Sequence, residues 1–202
     1  MNWIVSLLLF FPFTLFGGSR QMFSYSIQPG SEITIAGKTN ISQFVCWSSG
    51  ETPTGSFLIE KKPGCNIIRF SDATLKIGIG TFDCGNRLMN RDMHQAMGSK
   101  DHPDIVIQII EGVPISLNQP SNSGNANLFI AISLNGITRH SFMLVEYTEL
   151  INNQLKVFGS KQLRMTDFGI TPPSPAFGLA KVKDEVTIQM TFIIQTSLIG
   201  QK

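Results

Sequence analysis

Two long segments near the end of the chain alternate apolar with polar or small side chains. In residues 126–137 and again in residues 184–195, the large apolar side chains occupy every second position. A period of two is that of a β-strand with one apolar face. The predicted apolar faces consist of Leu128, Ile130, Ile132 and Leu134 in the first segment, and of Val186, Ile188, Met190, Phe192 and Ile194 in the second.

Shorter runs of the same kind lie upstream. The first predicted strand covers residues 31–37, and a strictly alternating run covers residues 75–82. A polar stretch at 118–127 reads as a loop. Asn135 and Gly136 stand between two alternating runs, which is a strong local signal for a tight hairpin. The inward side chains of these runs are predicted to include Leu75, Ile77, Ile79, Ile107 and Phe168.

The period changes to about four residues over 86–97. Met93, Met97 and either Leu88 or Met89 then share one face, which predicts a short amphipathic helix. Asn86 or Asn90 can cap its first turn. Methionine adapts to irregular contacts, so this helix suits a lid over one end of a barrel, and plain core packing explains it equally well.

The fold class that follows is all-β, with about eight antiparallel strands in hairpin order and one short helix near residues 86–97. Such strands form an up-and-down barrel whose interior is apolar. An apolar interior can be a solid core or a container for a lipid. The wall of a container and a packed core have the same composition, so both readings stay open. The assignment of faces depends on register, because a shift of one residue turns a whole strand around.

Composition narrows the class of protein. The chain has 202 residues, enough for one domain with a real core, and a net charge of +2 with 15% charged residues. No basic run or interleaved aromatic patch is present, which argues against nucleic-acid binding. Residues 7–16 form an apolar stretch followed by small residues, as in a signal peptide. We predict a signal peptide at 1–19 and a single domain at 20–202, exported to the periplasm or secreted; a retained membrane anchor is the alternative.

The three cysteines allow three single pairings, each with one thiol left over. Cys46 and Cys84 lie at strand-like positions, whereas Cys65 follows a Pro-Gly turn, so a Cys46–Cys84 disulfide is favoured. The other pairings, and three unpaired thiols, remain as alternatives. The three histidines show no ligand spacing with the cysteines, so no metal site is predicted.

No residue is predicted to be catalytic. Asp92 and His94 are two positions apart and do not face each other on a helix. Asp92 is expected to cap the helix or to pair with Arg87 or Arg91, and His94 to face solvent. No Gly-x-Ser-x-Gly motif and no positioned carboxylate pair is present. The sequence therefore predicts a protein that is not an enzyme and that needs no cofactor.

Five segments, in this order, resemble motifs of the YceI-like family. Arg91, Asp92 and His94 fit the Arg-Asp-x-His of the family's helix, and Pro103 with Ile105 fits its Pro-x-Ile strand start. The full set of matching segments is residues 90–94, 102–105, 128–139, 165–170 and 182–188, within a resemblance that covers about 31–196. The chain departs from the family where it has Asn-Leu-Phe-Ile in place of Gly-Asp-Leu-Thr, and in its pair of cysteines.

The resemblance implies a lipocalin-like barrel that binds a polyisoprenoid lipid. The expected ligand is a long amphiphilic molecule, such as an isoprenoid or an isoprenoid quinone, and a dimer and contact with the envelope membrane are left open. The expected ligand-binding residues are Leu75, Ile77, Ile79, Met93, Ile107, Leu128, Ile130, Ile132, Leu134, Phe168, Val186, Ile188, Met190 and Phe192. Two rival hypotheses are an isomerase or cyclase that acts on a bound lipid, and a structural or interaction domain without a ligand.

Overall fold

The computed structural model describes residues 19–49, 52–115, 122–174 and 179–201. The predicted signal peptide lies outside these ranges except for Ser19, so it stays a prediction. The described elements are β1 (Ser19–Ile27), β2 (Glu32–Thr39), β3 (Gln43–Ser49), β4 (Thr54–Lys61), β5 (Ile68–Ser71), β6 (Thr74–Gly78), α1 (Arg87–Ala96), β7 (Asp104–Ile115), β8 (Ser123–Leu134), β9 (Ile137–Glu149), β10 (Gln154–Arg164) and β11 (Val182–Gln201). Two 3-10 turns, Ile79–Thr81 and Met165–Phe168, complete the set.

The strands close into a ring. Each of β1, β4, β5, β7, β8, β9, β10 and β11 pairs antiparallel with the next, and β1 pairs back onto β11. Three positions in the ring are each shared by two segments: β1 with β2, β4 with β3, and β5 with β6. For example, β1 pairs with the last part of β11, and β2 pairs with the first part of β11 along the same edge. The result is an eight-stranded up-and-down barrel in which three of the strands are interrupted. The predicted fold class is confirmed.

Two of the three interruptions contain a residue with a positive φ. Gly30, in the turn between β1 and β2, has φ +89°, a region that glycine adopts without steric cost. Asp72, between β5 and β6, has φ 62°, which short polar side chains tolerate better than others. These breaks let each strand bend around the barrel without leaving the sheet.

The barrel is less completely paired at the end that carries α1, which we call the lid end. There no strand ladder joins β3 to β6 in the part of the chain that the structure describes, and an isolated bridge links Trp47 of β3 to Asp83 in the segment after β6. The ladder between β9 and β10 stops at Gly159. Beyond that point the Nζ of Lys161 donates a hydrogen bond to the backbone oxygen of Phe142 at 2.8 Å. The barrel therefore has two gaps in its ladders at this end, one crossed by a bridge and one by a side chain.

Local predictions had mixed outcomes. The Asn135–Gly136 hairpin is confirmed, with φ of 51° and 73°. The strand predicted over 31–37 is confirmed as β2, but the prediction missed β1 before it, although Phe23 and Ile27 show the alternation of a strand. Residues 118–121 of the loop predicted at 118–127 lie outside the described residues, and the prediction is wrong for residues 123–127, which belong to β8. The strand predicted over 75–82 ends at Gly78 and passes into the 3-10 turn. Among the described residues no helix is long and apolar enough to span a membrane.

Candidate functional site

A cavity of about 500 Å³ lies inside the barrel at the lid end. Its wall is built from the inward positions of the strands, and apolar side chains dominate it. The strand residues that line it include Ile35, Phe44, Cys46, Ile105, Ile132, Leu134, Leu163, Val186 and Ile188. Binding cavities for small molecules in proteins have about 300–1,000 Å³, so this one is large enough for an organic ligand.

Helix α1 covers one side of the cavity. The Asn86 side chain accepts hydrogen bonds from the backbone N–H groups of Leu88 at 2.8 Å and of Met89 at 3.4 Å, so Asn86 is the cap, one of the two predicted alternatives. Met89 and Met93 line the cavity, together with Ala96 and Met97, whereas Leu88 is 52% exposed. The helix therefore turns its methionine face to the cavity, as a lid would.

A hydrogen-bonded carboxylate fixes the start of this lid. Asp83 accepts hydrogen bonds from the Asn90 side chain at 3.0 Å and from the Gly85 backbone at 2.8 Å. These two bonds, the Asn90 bond most, hold the pKa of Asp83 below its ordinary value. The side-chain oxygen of Asn90 in turn accepts from the backbone N–H of Cys84 at 2.7 Å. The lid and the segment before it thus form one hydrogen-bonded unit.

The disulfide lies in the wall at the gap between β3 and β6. Cys46 and Cys84 are bonded, with Cα atoms 3.9 Å apart, and both line the cavity. The favoured pairing is confirmed, and Cys65 is free and exposed. Beside the disulfide, Trp47 and Asp83 exchange two backbone hydrogen bonds of 2.9 Å each. These contacts close the wall where the strand ladder does not.

The 3-10 turn after β10 covers the other side of the cavity. Its Phe168 is 2% exposed and lines the cavity. The backbone oxygen of Phe168 accepts from the Asn135 side chain at 3.2 Å. The carboxylate of Asp184 accepts from the backbone N–H of Thr166 at 2.9 Å and from its hydroxyl at 2.7 Å, which lowers the pKa of Asp184. The 3-10 turn is therefore held in place by Asn135 on one side and by Asp184 on the other.

The floor of the cavity is a layer of branched aliphatic side chains. This layer is Ile35, Ile105, Ile132, Leu163 and Ile188, each of which also borders a second, much smaller cavity on its other side. The second cavity has only about 20 Å³, and so does a third near Phe192. Such volumes are close to the minimum that one water needs. The middle of the barrel is therefore packed, and the hollow part is the lid end.

The structure divides the fourteen predicted ligand-binding residues into two groups. Those that line the large cavity are Met93, Ile132, Leu134, Phe168, Val186 and Ile188. Those that lie away from it, in the packed part of the core, are Leu75, Ile77, Ile79, Ile107, Leu128, Ile130, Met190 and Phe192. All of them have at least half-buried side chains inside the barrel, so the predicted inward faces agree with the structure. The role of either group in binding stays a prediction.

Several lining residues were not identified from the sequence. Phe44 is the clearest example, because it alternates with Cys46 and the buried Ser48 and could have been read as inward. Met89 was one of two alternatives on the helix. Polar side chains of the β2–β3 turn border the cavity as well, namely Thr39, Ser42 and Gln43. A strand pattern gives no signal for these turn residues.

Charged groups stand at the edge of the cavity. Among the described lining residues, the side chains that carry a charge are Asp92 and Arg164. The Asp92 carboxylate pairs with Arg91 at 3.1 Å, one of the pairings predicted for it. Arg164 lies 4.0 Å from Glu185. His94 is half-buried with its Nε2 3.3 Å from the Phe82 backbone oxygen, and it is not among the lining residues, so the solvent-facing position expected for it is only partly found.

The barrel has counterparts among solved structures. A polyisoprenoid binding domain from Saccharophagus degradans, implicated in plant cell wall breakdown, is 8% identical; the likeness covers 86% of this chain and 98% of that chain, with a TM-score of 0.60. Burkholderia cenocepacia BcnA is 13% identical over 81% of this chain and 96% of that chain, with a TM-score of 0.55. A YceI protein from Campylobacter jejuni is 11% identical over 70% and 79%, with a TM-score of 0.45.

Neither a protein-family profile nor a curated protein sequence matches the chain. The likeness to the first two structures, at 8% and 13% identity, shows a shared fold. The barrel fold that the resemblance of the sequence to the YceI-like family implied is thus confirmed.

Proposed function

We propose that this protein binds a long amphiphilic lipid, an isoprenoid or an isoprenoid quinone, in the lid-end cavity, without catalysing a reaction on it. Its role is then transport, storage or sequestration of that lipid in the cell envelope. The observation that carries the proposal is the apolar cavity of about 500 Å³ beneath a methionine-faced helix. The fold shared with a polyisoprenoid binding domain supports it.

The cavity volume limits the length of the lipid. An apolar cavity of about 150 Å³ holds one benzene, so the present volume accommodates about 20 carbon atoms. Burying ten to fifteen CH₂ groups contributes roughly 8–12 kcal/mol at about 0.8 kcal/mol each. The loss of translational and conformational freedom on binding offsets several kcal/mol of this. Micromolar affinity is therefore reachable with no charged contact to the ligand.

The polar end of the lipid fits at the edge of the cavity. Thr39, Ser42 and Gln43 border it with groups that donate or accept hydrogen bonds. The two charged lining residues, Asp92 and Arg164, already have partners of opposite charge at 3.1 and 4.0 Å. This surrounding favours an uncharged polar end, such as a hydroxyl or a quinone carbonyl, over a phosphate.

The position of the charged lining residues supports binding over catalysis. An isomerase or cyclase needs an acid or base placed against the reacting atoms. Asp92 and Arg164, the charged lining residues in the described part of the chain, are at the edge and ion-paired. The other lining residues are apolar or belong to the disulfide, apart from Thr39, Ser42 and Gln43. We therefore propose a binding protein, and place it in the periplasm or outside the cell because it carries a disulfide.

Organic extraction of protein purified from its native envelope, followed by mass spectrometry, tests the proposal. We expect a stoichiometric isoprenoid or quinone. Ala96→Phe, which places a ring in the cavity, is expected to weaken binding of geranylgeraniol by about tenfold or more, since it displaces at least two CH₂ groups. Gln95→Phe, on the exposed face of the same helix, is the matched control and should bind normally.

Two results would contradict the proposal. The first is a protein that carries no lipid and binds neither prenols nor quinones in solution. The second is equal binding by the Ala96→Phe and Gln95→Phe variants, because the lipid would then lie elsewhere on the molecule. Turnover of the bound lipid would instead support the rival hypothesis of an isomerase or cyclase.

A further inference from the structure

Two large aliphatic side chains project into solvent beside the cavity. Ile41, in the turn between β2 and β3, is 72% exposed, and Leu179, in the segment before β11, is 75% exposed. The two segments are tied together: the Asn40 side chain donates to the Leu179 backbone oxygen at 3.2 Å and accepts from the Lys181 backbone N–H at 2.7 Å. We call residues 38–43 and 179–183 the mouth rim.

The mouth rim borders the cavity directly. Thr39, Ser42 and Gln43 line the cavity on either side of Ile41, and Ala180 and Val182 line it next to Leu179. Ile41 and Leu179 are not among the lining residues. The rim therefore has an inner side, which faces the cavity, and an outer side, on which these two aliphatic side chains stand.

The charge of the mouth rim has one sign. Lys38, Lys181 and Lys183 are exposed, and the rim contains no Asp or Glu. The carboxylates that follow it in sequence are engaged on the β10 side: Asp184 accepts from Thr166, and Glu185 accepts from the Gln162 side chain at 3.1 Å. Three lysines and two exposed aliphatic side chains thus stand on the same two segments, which border an apolar cavity.

We propose that the mouth rim docks on an anionic bilayer surface, with Ile41 and Leu179 inserted among the lipid chains and the three lysines at the headgroups. Aliphatic side chains flanked by Lys are the pattern of segments that lie in a membrane interface, and anionic headgroups attract clustered lysines. Docking of this kind would place this side of the cavity against the bilayer. Transfer of a lipid between bilayer and cavity rests on the proposed function; docking itself does not.

Labels at two matched positions test the orientation. Ile41→Cys and Ile151→Cys, each in a Cys65→Ser background, would carry a polarity-sensitive fluorophore. Ile151 is 81% exposed and lies in the turn between β9 and β10, at the end opposite the lid. With vesicles of phosphatidylcholine and phosphatidylglycerol, we expect the label at 41 to shift to the blue and to be quenched by brominated lipid. The label at 151 should do neither.

Charge variants test the anionic surface. Lys38→Gln with Lys181→Gln is expected to weaken vesicle binding by about 25-fold, since each lysine near such a surface contributes about a fivefold factor. Added salt should weaken it as well. The inference is overturned if both labels respond alike, if neither responds, or if pure phosphatidylcholine vesicles give the same response. A response that depends on protein concentration without vesicles would instead identify a second copy as the occupant and would also overturn it.

The experiment separates this inference from the proposed function. Geranylgeraniol binding in solution should be unchanged in the Lys38→Gln, Lys181→Gln variant, because neither lysine lines the cavity. Intact prenol binding without vesicle docking overturns only the inference made here. Vesicle docking without prenol binding overturns only the proposed function.

Discussion

The ring of Phe44 lies over Gly37 on the neighbouring strand, at the wall of the lid-end cavity. The two residues are register partners of β2 and β3. A Cβ atom added at Gly37 would lie 2.8 Å from the Cε1 of Phe44, far inside a normal contact distance. Because Gly37 has no side chain, the Phe44 ring can lie close to the wall, and the cavity beside the ring stays open.

Gly37→Ala is therefore expected to push the Phe44 ring into the cavity. The overpacking should lower the free energy of unfolding by about 1–3 kcal/mol, and the displaced ring should weaken geranylgeraniol binding several-fold. Urea unfolding and a fluorescence competition titration measure the two effects.

Gly55→Ala is the matched control. Gly55 underlies the Tyr25 ring in the same way, with an added Cβ 2.7 Å from Tyr25 Cε1, but neither residue lines the large cavity. This variant should lose stability and keep its affinity for the ligand. Equal loss of affinity in both variants would mean that the effect is global destabilisation rather than a change of cavity shape.

The features that the sequence predicted correctly depend on near neighbours. The helix cap needs only Asn86 and the N–H groups of the next turn, and the Asn135–Gly136 hairpin needs only two residues with positive φ. Alternation placed the inward faces because the period of a strand is a local property. The Cys46–Cys84 pairing went one step further, since strand-like positions made these two cysteines better candidates than one in a turn.

The position of the hollow part could not be predicted in this way. Ile130 and Ile132 lie on the same face of β8 and have the same side chain, yet Ile130 is fully buried in packed core and Ile132 lines the cavity. The difference comes from the other elements: β3 separates from β6 at the lid end, and the helix bridges the space instead of filling it. Residue types along one strand contain no information about that separation.

Loss of the disulfide should open the wall beside the lid. Cys46→Ser with Cys84→Ser is expected to lower the free energy of unfolding by about 4 kcal/mol, from the chain-entropy estimate for a loop of this size. Because the bond also joins β3 to the segment that leads into α1, the variant should release a bound prenol several-fold faster. Urea unfolding and stopped-flow dissociation measure the two quantities.

Cys65→Ser is the control for the disulfide variant, since Cys65 is exposed and unbonded. It should match the parent protein in both measurements. If the double variant loses stability but releases the prenol at the parent rate, the disulfide supports the fold and does not restrain the lid.

Acid should loosen the lid through Asp83. The pKa of this carboxyl is lowered in the folded protein by the Asn90 side chain and the Gly85 backbone, so its charged form favours folding. The contribution is present above the unfolded value of about 3.9 and is lost as the pH falls through the lower, folded pKa. Asp83→Asn should therefore be less stable than the parent near pH 7 and should approach it at the acid end of the range.

Thermal unfolding of the parent and of Asp83→Asn across this range measures the difference. Asp101→Asn, which changes an exposed carboxylate beyond the end of α1, is the control and should run parallel to the parent. A constant gap between the parent and Asp83→Asn at every pH would show that the carboxyl has the same pKa in the folded and unfolded chain.

The floor of the cavity should set the length of the lipid chain. Met190 is 6% exposed and lies below the floor layer, where it borders the cavity of about 20 Å³. Met190→Ala removes three heavy atoms there and should let the small cavity merge with the large one. The expected cost is about 2–5 kcal/mol of stability, so binding must be measured where the variant is still folded. A chain longer by one isoprene unit should then gain about tenfold in affinity relative to geranylgeraniol.

Ile130→Ala distinguishes a longer cavity from a looser core. Ile130 is fully buried and belongs to the core cluster, but it borders neither the large cavity nor the small one beneath it. Its truncation should cost a similar amount of stability without changing the preference between the two prenols. If both variants shift the preference alike, chain length is limited by the rigidity of the whole barrel. If only Met190→Ala shifts the preference, the packed middle of the barrel limits the length of the binding site. The longer prenol then occupies the volume that the Met190 side chain left below the floor layer.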